Sequence, residues 1–166
     1  MGRSPTGSDV KMLKAGAALA KAKGLNGFTV RQVCAKSKVN LGMFHYYFST
    51  KENFDMVVLE TIYSKMIENI KINVSPSVSA KENVRAILIN IQEFVKENRG
   101  LLSSLGGDVF SGNRKTFKFI AENFTKHVEI LLGELQRAQK AGLLAAPSAF
   151  DAFLLLMPSV ALPQVL

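Results

Sequence analysis

The sequence predicts an all-α protein in two parts, an N-terminal three-helix helix-turn-helix unit and a C-terminal helical bundle. Three observations lead there. Helix-start signals recur along the first half of the chain, strand-type alternation is weak, and the longer apolar stretches repeat at three- and four-residue spacing. With 166 residues, 48% of them hydrophobic, the chain can form one ordinary domain or a small domain joined to a larger one.

The punctuation places the elements in order. Residues 9–23 form an Ala-rich first helix closed by Gly24, and LNG at 25–27 is a turn. Thr29 is an N-cap, and Gln32 three residues on completes a capping box. Phe28 and Val33 supply the accompanying hydrophobic staple. This second helix runs to about Lys36. Asn40 caps the third, with Val39 and Phe44 again at staple spacing, so a short helix is expected from Leu41 to about Tyr47. Either Ser49, boxed with Glu52, or Thr50 caps a fourth helix that continues to about Ile72, and Pro76 breaks the chain.

Beyond Pro76, residues 79–98 carry Val84, Ile87, Leu88, Ile91 and Val95 on one stripe. A weaker helix is expected near 101–110, a single long one over 114–140, and an apolar last one from about Ser148. The stretch FLLLMPSVALPQVL, 153–166, is too short to span a bilayer and contains Pro158 and Pro163. It is expected to be a buried or subunit-facing helix, with no membrane role. By charge, the boundary between the parts falls near residue 50, giving an N-terminal arm and helix-turn-helix domain over 1–50 and a helical body over 51–166.

Charge is unevenly placed. Residues 1–55 hold nine Lys/Arg against three acids, and the rest of the chain holds twelve against ten. A basic first third on a near-neutral remainder points to a polyanion-binding head on a body with another task. Cys34 is the one cysteine, which excludes an intrachain disulfide and fits a reducing cytoplasm; it is expected to be a small buried thiol. The first ten residues have no apolar export core and are expected to form a basic arm.

The segment SKVNLGMFHYYFSTKENF, 37–54, concentrates aromatic side chains on a helix too short to bury them all. Phe44 and Phe48, four apart, share one face. With Val33 and Val39 they are expected to form a small core against Leu13 and Leu19, and Phe54 joins from the fourth helix. The opposite face carries Leu41, Gly42, His45 and Tyr46. Exposing these beside Arg31 and Lys51 makes physical sense if phosphates and base edges cover them.

At residues 13–54 the chain resembles the TetR family of bacterial transcriptional regulators. The resemblance rests on the Gly24 turn, TVRQV (29–33), V-N-x-G-x-F-x-Y-Y-F (39–48) and the S-T-K-E that follows. It implies a homodimer on double-stranded DNA, with the third helix of each head in the major groove at one half of a pseudo-palindrome. It also implies a body that binds a small-molecule effector, expected to be partly apolar, and thereby releases DNA. The DNA-binding set is then Thr29, Arg31, Asn40, Leu41, Gly42, Met43, His45, Tyr46, Tyr47 and Lys51. This chain departs from the family pattern at five places: Lys38 where a turn glycine is common, His45 where a phosphate-contacting Tyr is usual, Ala20 where Phe is common, and Leu41 and Met43 where polar base readers are frequent. The last two would favour thymine methyl groups. The family pairs through two C-terminal helices, and this chain ends in or just after the first candidate, so most but not all of such a regulator is expected here.

In the body, Phe94, Phe110, Phe117, Phe124 and His127 either line an effector cavity or form ordinary core. Two histidines and one cysteine leave no metal-site spacing, and the Gly-rich GGDVFSGN (106–113) lacks the Gly-Lys-Ser/Thr ending of a phosphate loop and is expected to be a loop. No catalytic triad, acid pair or cofactor motif appears, so an enzyme is not expected. The rival reading is a helical small-molecule-binding or protein-interaction module whose head has lost DNA binding.

Overall fold

The structure, a computed structural model, describes residues 7–123 and 125–165, with the backbone alone at 115, 123 and 161–165. Nine α-helices follow one another among these residues. They are α1 (Gly7–Lys23), α2 (Val30–Ser37), α3 (Leu41–Phe48), α4 (Lys51–Asn73), α5 (Ala80–Glu97), α6 (Arg99–Phe110), α7 (Arg114–Asn123), α8 (Lys126–Lys140) and α9 (Ala149–Val165), with a single 3-10 turn at Leu25–Gly27. They fall into two units. One runs from α1 through Tyr63 and takes in Asn98–Ser111; the other comprises Ser64–Glu97 and the chain from Gly112 onward.

The caps explain where the first helices start. Thr29 Oγ1 accepts from the Gln32 N–H at 3.3 Å while the Thr29 N–H donates to Gln32 Oε1 at 2.9 Å, a reciprocal box that satisfies two N-terminal donors of α2. Asn40 Oδ1 accepts from the Met43 N–H at 2.9 Å and opens α3. Thr50, rather than Ser49, opens α4 by accepting from the Asn53 N–H at 3.1 Å. Ser49 is instead the C-cap of α3, at a φ of 61°.

In the first unit α2 and α3 pack on α1, and α6 packs on α1 from far along the chain. Phe44, Phe54 and Val33 are fully buried, and Phe48 nearly so. Leu13 and Leu19, the expected partners, are only half-buried. The interior face of α1 is Met12, Ala15, Gly16 and Ala20. The reason is the thickness of the aromatic layer. A Cβ at Gly16 would lie 2.4 Å from Phe54 Cζ and 2.9 Å from Val58 Cγ2, so the helix must present its smallest residues where the rings approach.

The α1 exit requires Gly24, whose φ is +71° and whose missing Cβ leaves room for Ser104 of α6. The start of α6 closes on the same place, with Gly100 against the Lys21 carbonyl. Asn26 Nδ2 donates to Asp108 Oδ1 at 3.1 Å, tying the 3-10 turn to the far end of α6. GGDVFSGN is therefore mostly helix: Gly106 and Gly107 lie within α6, and residues 111–113 make the connection.

In the second unit α5, α8 and α9 pack against one another through Ile87, Ile91 and Val95, Leu131, Leu135 and Ala138, and Ala149 and Ala152. Asn83 is fully buried and fully engaged. Its amide donates to the Ser75 carbonyl at 2.8 Å and to Glu134 Oε2 at 3.1 Å, and its carbonyl accepts from the Ser75 N–H at 3.2 Å. Arg137 donates to both Glu134 oxygens, at 3.0 and 3.1 Å, and to the Val78 carbonyl.

The expected long helix over 114–140 is two helices, α7 and α8. Apolar spacing cannot show the break, because the stripe keeps its period across it. Thr125 stands at the start of α8 and its side chain forms no capping hydrogen bond, so no local signal marks the break either. The last helix starts where expected, Ser148 Oγ accepting from the Asp151 N–H at 3.1 Å, and its helical backbone continues through Pro158 and Pro163.

Two substitutions test this packing. Gly16→Ala should cost about 1–3 kcal/mol, because the added methyl would overlap the fully buried Phe54 ring. Lys38 holds a left-handed conformation (φ 55°, ψ 38°) as the C-cap of α2. Lys38→Gly should therefore gain about 1 kcal/mol, the left-handed penalty less the backbone entropy of glycine. Urea midpoints of the two variants against the parent chain decide both.

Candidate nucleic-acid interface

The third helix is short because both ends are fixed. Asn40 caps its start, and at its end the Ser49 N–H donates to the His45 carbonyl at 3.0 Å. Its inner face is Phe44 and Phe48, held in a ring cluster with Phe54 at centroid distances of 4.8 to 5.5 Å. This fixes what its outer face shows. Leu41 is 45% and Tyr46 55% exposed. Asn40, Gly42 and His45 are exposed with them, while Met43 and Tyr47 are half-buried. Tyr47 meets Tyr46 edge-on at 5.1 Å. Thr29 and Arg31 at the start of α2 are also exposed. Polar and flat apolar side chains thus lie together on an outward surface of the first unit.

His45 has a defined polarity. Its Nδ1 lies 3.1 Å from the Ser49 carbonyl oxygen, which can only accept, so this bond needs the proton on Nδ1. The neutral ring then offers Nε2 as an acceptor, and only the imidazolium offers it as a donor.

Lys51 is built inward. Its ammonium donates to both Asp55 carboxylate oxygens at 2.7 Å and to the Leu25 carbonyl at 3.0 Å, and it sits 3.9 Å from the centroid of the Phe28 ring. All three N–H groups are thereby engaged. Burial pushes the Asp55 carboxyl above its ordinary value, and the hydrogen bond and charge of Lys51 pull it back. The cluster fastens the start of α4 to the 3-10 turn. The sequence offers Asp55 at the i,i+4 spacing of a helical ion pair, but has no signal for the Leu25 carbonyl, 26 residues away.

The charge around the surface is one-signed. Residues 10–51 contain eight Lys/Arg and no Asp or Glu. Cys34 is half-buried, and burial raises its thiol above the ordinary value. Among the described residues no group of three or more His, Cys, Asp and Glu side chains is placed to hold a metal, and no helix is long and apolar enough to cross a membrane.

The body residues singled out from sequence divide between the two units. Phe110 is 93% exposed at the end of α6, in the first unit. In the second unit Phe117 is 60% exposed, and Phe94 and His127 are half-buried. Phe124 lies outside the described residues.

Residues 12–54 match the family model described as bacterial regulatory proteins, tetR family. The whole chain resembles solved structures at low identity. One is the transcriptional regulator FadR from Bacillus subtilis in complex with stearoyl-CoA (TM-score 0.77, 15% identity, 94% of this chain and 84% of that one). Another is GusR of Salmonella enterica (TM-score 0.72, 13% identity, 96% and 82%). A third is a bacterial regulatory protein in the tetR family from Rhodococcus RHA1 (TM-score 0.74, 15% identity, 97% and 83%). These likenesses establish a shared fold. No curated protein matches the chain.

Burial holds the His127 imidazole down, from 6.5 to about 4. Below pH 6.5 the unfolded chain takes up a proton that the folded chain refuses until about pH 4. Stability should therefore fall by about 3 kcal/mol as pH drops through that window, and level off below it. His127→Leu should flatten this part of the acid limb, read as urea midpoints between pH 7 and 4. An unchanged limb would mean that the imidazole is not shielded.

Proposed function

We propose that this chain, a member of the tetR family of bacterial regulatory proteins through residues 12–54, is a ligand-responsive transcriptional repressor. It binds a pseudo-palindromic operator as a homodimer and leaves it when a small molecule occupies the C-terminal helical unit. Regulators of this family bind DNA and are not enzymes. The observation that carries the proposal is the outward surface of α3. A short helix stiffened by three phenylalanines shows Leu41, Gly42, His45 and Tyr46 beside Thr29 and Arg31, in a stretch of chain with no acidic residue.

In this reading α3 enters the major groove, where Arg31 and Leu41 meet base edges and Leu41 and Met43 favour thymine methyls. Thr29, Asn40, Tyr46 and Tyr47 meet phosphates, and Gly42 lets the backbone come close. His45 contacts a donor when neutral and a phosphate when protonated. Lys51 acts from behind, by holding the start of α4 at the edge of the interface.

Pairing through α9 is supported by Phe150, Leu154 and Leu155, which are exposed on that helix. For the effector, the stearoyl-CoA bound by the FadR structure makes a long-chain acyl-CoA the first molecule to test. Phe94, Phe117 and His127 are the proposed contacts in the second unit. The tie of His45 to Ser49 and the engagement of Lys51 favour one competing reading, a helical ligand-binding module whose head no longer selects DNA.

Binding to the DNA immediately upstream of its own gene, against a scrambled duplex of equal length at about 50 and 200 mM salt, separates the two. A regulator prefers its own DNA more than tenfold and loses affinity steeply with salt; equal weak binding to both duplexes leaves the module. Arg31→Ala should cost about 1–3 kcal/mol on the preferred duplex and relax selectivity at one base position. Wild-type affinity and selectivity in that variant would remove Arg31 from the interface.

A further inference from the structure

Between α1 and α2 lies an open cleft of about 340 Å³ lined by Lys11, Lys14, Ala15, Lys36 and Ser37. Three of its five lining residues are lysines and none is acidic. Among the described residues none of the three forms an ion pair, in contrast to Lys51, whose charge Asp55 answers. Lys11 and Lys14 are three apart on α1 and share a face. Lys36 comes from the last turn of α2. The fold thus gathers three like charges around one concavity, at an energetic cost that an anion would relieve.

The floor of the cleft says what kind of anion fits. Ala15 is apolar, and the Ser37 hydroxyl is committed, donating to the Val33 carbonyl at 2.8 Å. The cleft therefore offers point charges on flexible stems rather than a rigid, forked donor. Such a surface suits a diester backbone, which presents its charges in a row. The cleft also lies at the end of α2 that leads through Lys38 to Asn40 and Leu41, the start of α3.

We propose that Lys11, Lys14 and Lys36 form a second phosphate-binding surface that holds the DNA backbone beside the segment read by α3. It contributes affinity without sequence selectivity. This rests on the DNA-binding reading above and extends the contact to α1 and the end of α2, which the sequence did not mark as DNA-binding.

The test compares the full chain with a Lys11→Ala, Lys14→Ala, Lys36→Ala triple variant on the preferred and scrambled duplexes across a salt series. Each lysine that neutralises a phosphate contributes about 0.9 to the slope of log affinity against log salt. The expected result is a slope smaller by about 2 to 3 per head, about 5 for the homodimer, on both duplexes, with the preference between them kept. Equal melting temperatures for the two proteins show that folding is unchanged. An unchanged slope overturns the proposal. So does lysine-dependent binding of pyrophosphate with no change in the DNA slope, which would mark a small-anion site. If the parent chain prefers its own duplex while the slope stays put, this inference alone fails. If the parent chain shows no preference, the DNA-binding reading fails first.

Discussion

Gly16 against the ring of Phe54 is the contact on which the rest of the first unit depends. A helix normally keeps its neighbours at arm's length with side chains. Here the absence of a Cβ lets an aromatic edge reach the α1 backbone. Phe54 then stands where it can pack on Phe44 and Phe48 together, each ring worth about 1.5–3 kcal/mol of burial and each pair somewhat more. An eight-residue helix has too little surface to hold itself in place. With two rings locked into this cluster, α3 has a fixed rotation about its axis, and that rotation decides which side chains face out.

Electrostatics completes what packing begins. Charges inside the first unit are answered: Lys51 by Asp55 and the Leu25 carbonyl, Asp108 by the amide of Asn26. Lys11, Lys14 and Lys36, on the outside of α1 and α2, are left open. A part-buried ion pair with several hydrogen bonds fixes geometry, whereas solvated lysines fix nothing and remain available to a partner. The same residue type thus does two jobs in one small unit, and burial decides which.

The second unit is organised differently. Its helices α5 and α8 are joined by a polar chain, Ser75–Asn83–Glu134–Arg137–Val78, that runs from the fully buried Asn83, with its amide and carbonyl both engaged, out to the part-exposed Arg137 and the exposed Val78. Leaving one such group unpaired would cost about 1–3 kcal/mol, so the network specifies how α5, α8 and the loop before α5 meet more sharply than the Ile and Leu contacts do.

Local chemistry in the sequence determined the starts of α2, α3 and α9, since a cap and its donor lie three residues apart and need no tertiary context. It also determined that Phe44 and Phe48 turn inward together, because four residues on a helix bring side chains to one face. The family resemblance over residues 13–54 was legible for the same reason: caps, staple and turn are all local. The tertiary structure decided what depends on partners distant in the chain. It chose Met12, Ala15 and Ala20 over Leu13 and Leu19 for the interior, because the depth of the ring cluster admits only residues on the Gly16 face. It turned Lys51 inward to a carbonyl 26 residues away. It brought α6 back onto α1, split 114–140 where the apolar period gave no sign, and drew three lysines from two helices around one cleft. Periodicity reports which way a side chain points from its own helix; what stands there to meet it is set by the fold.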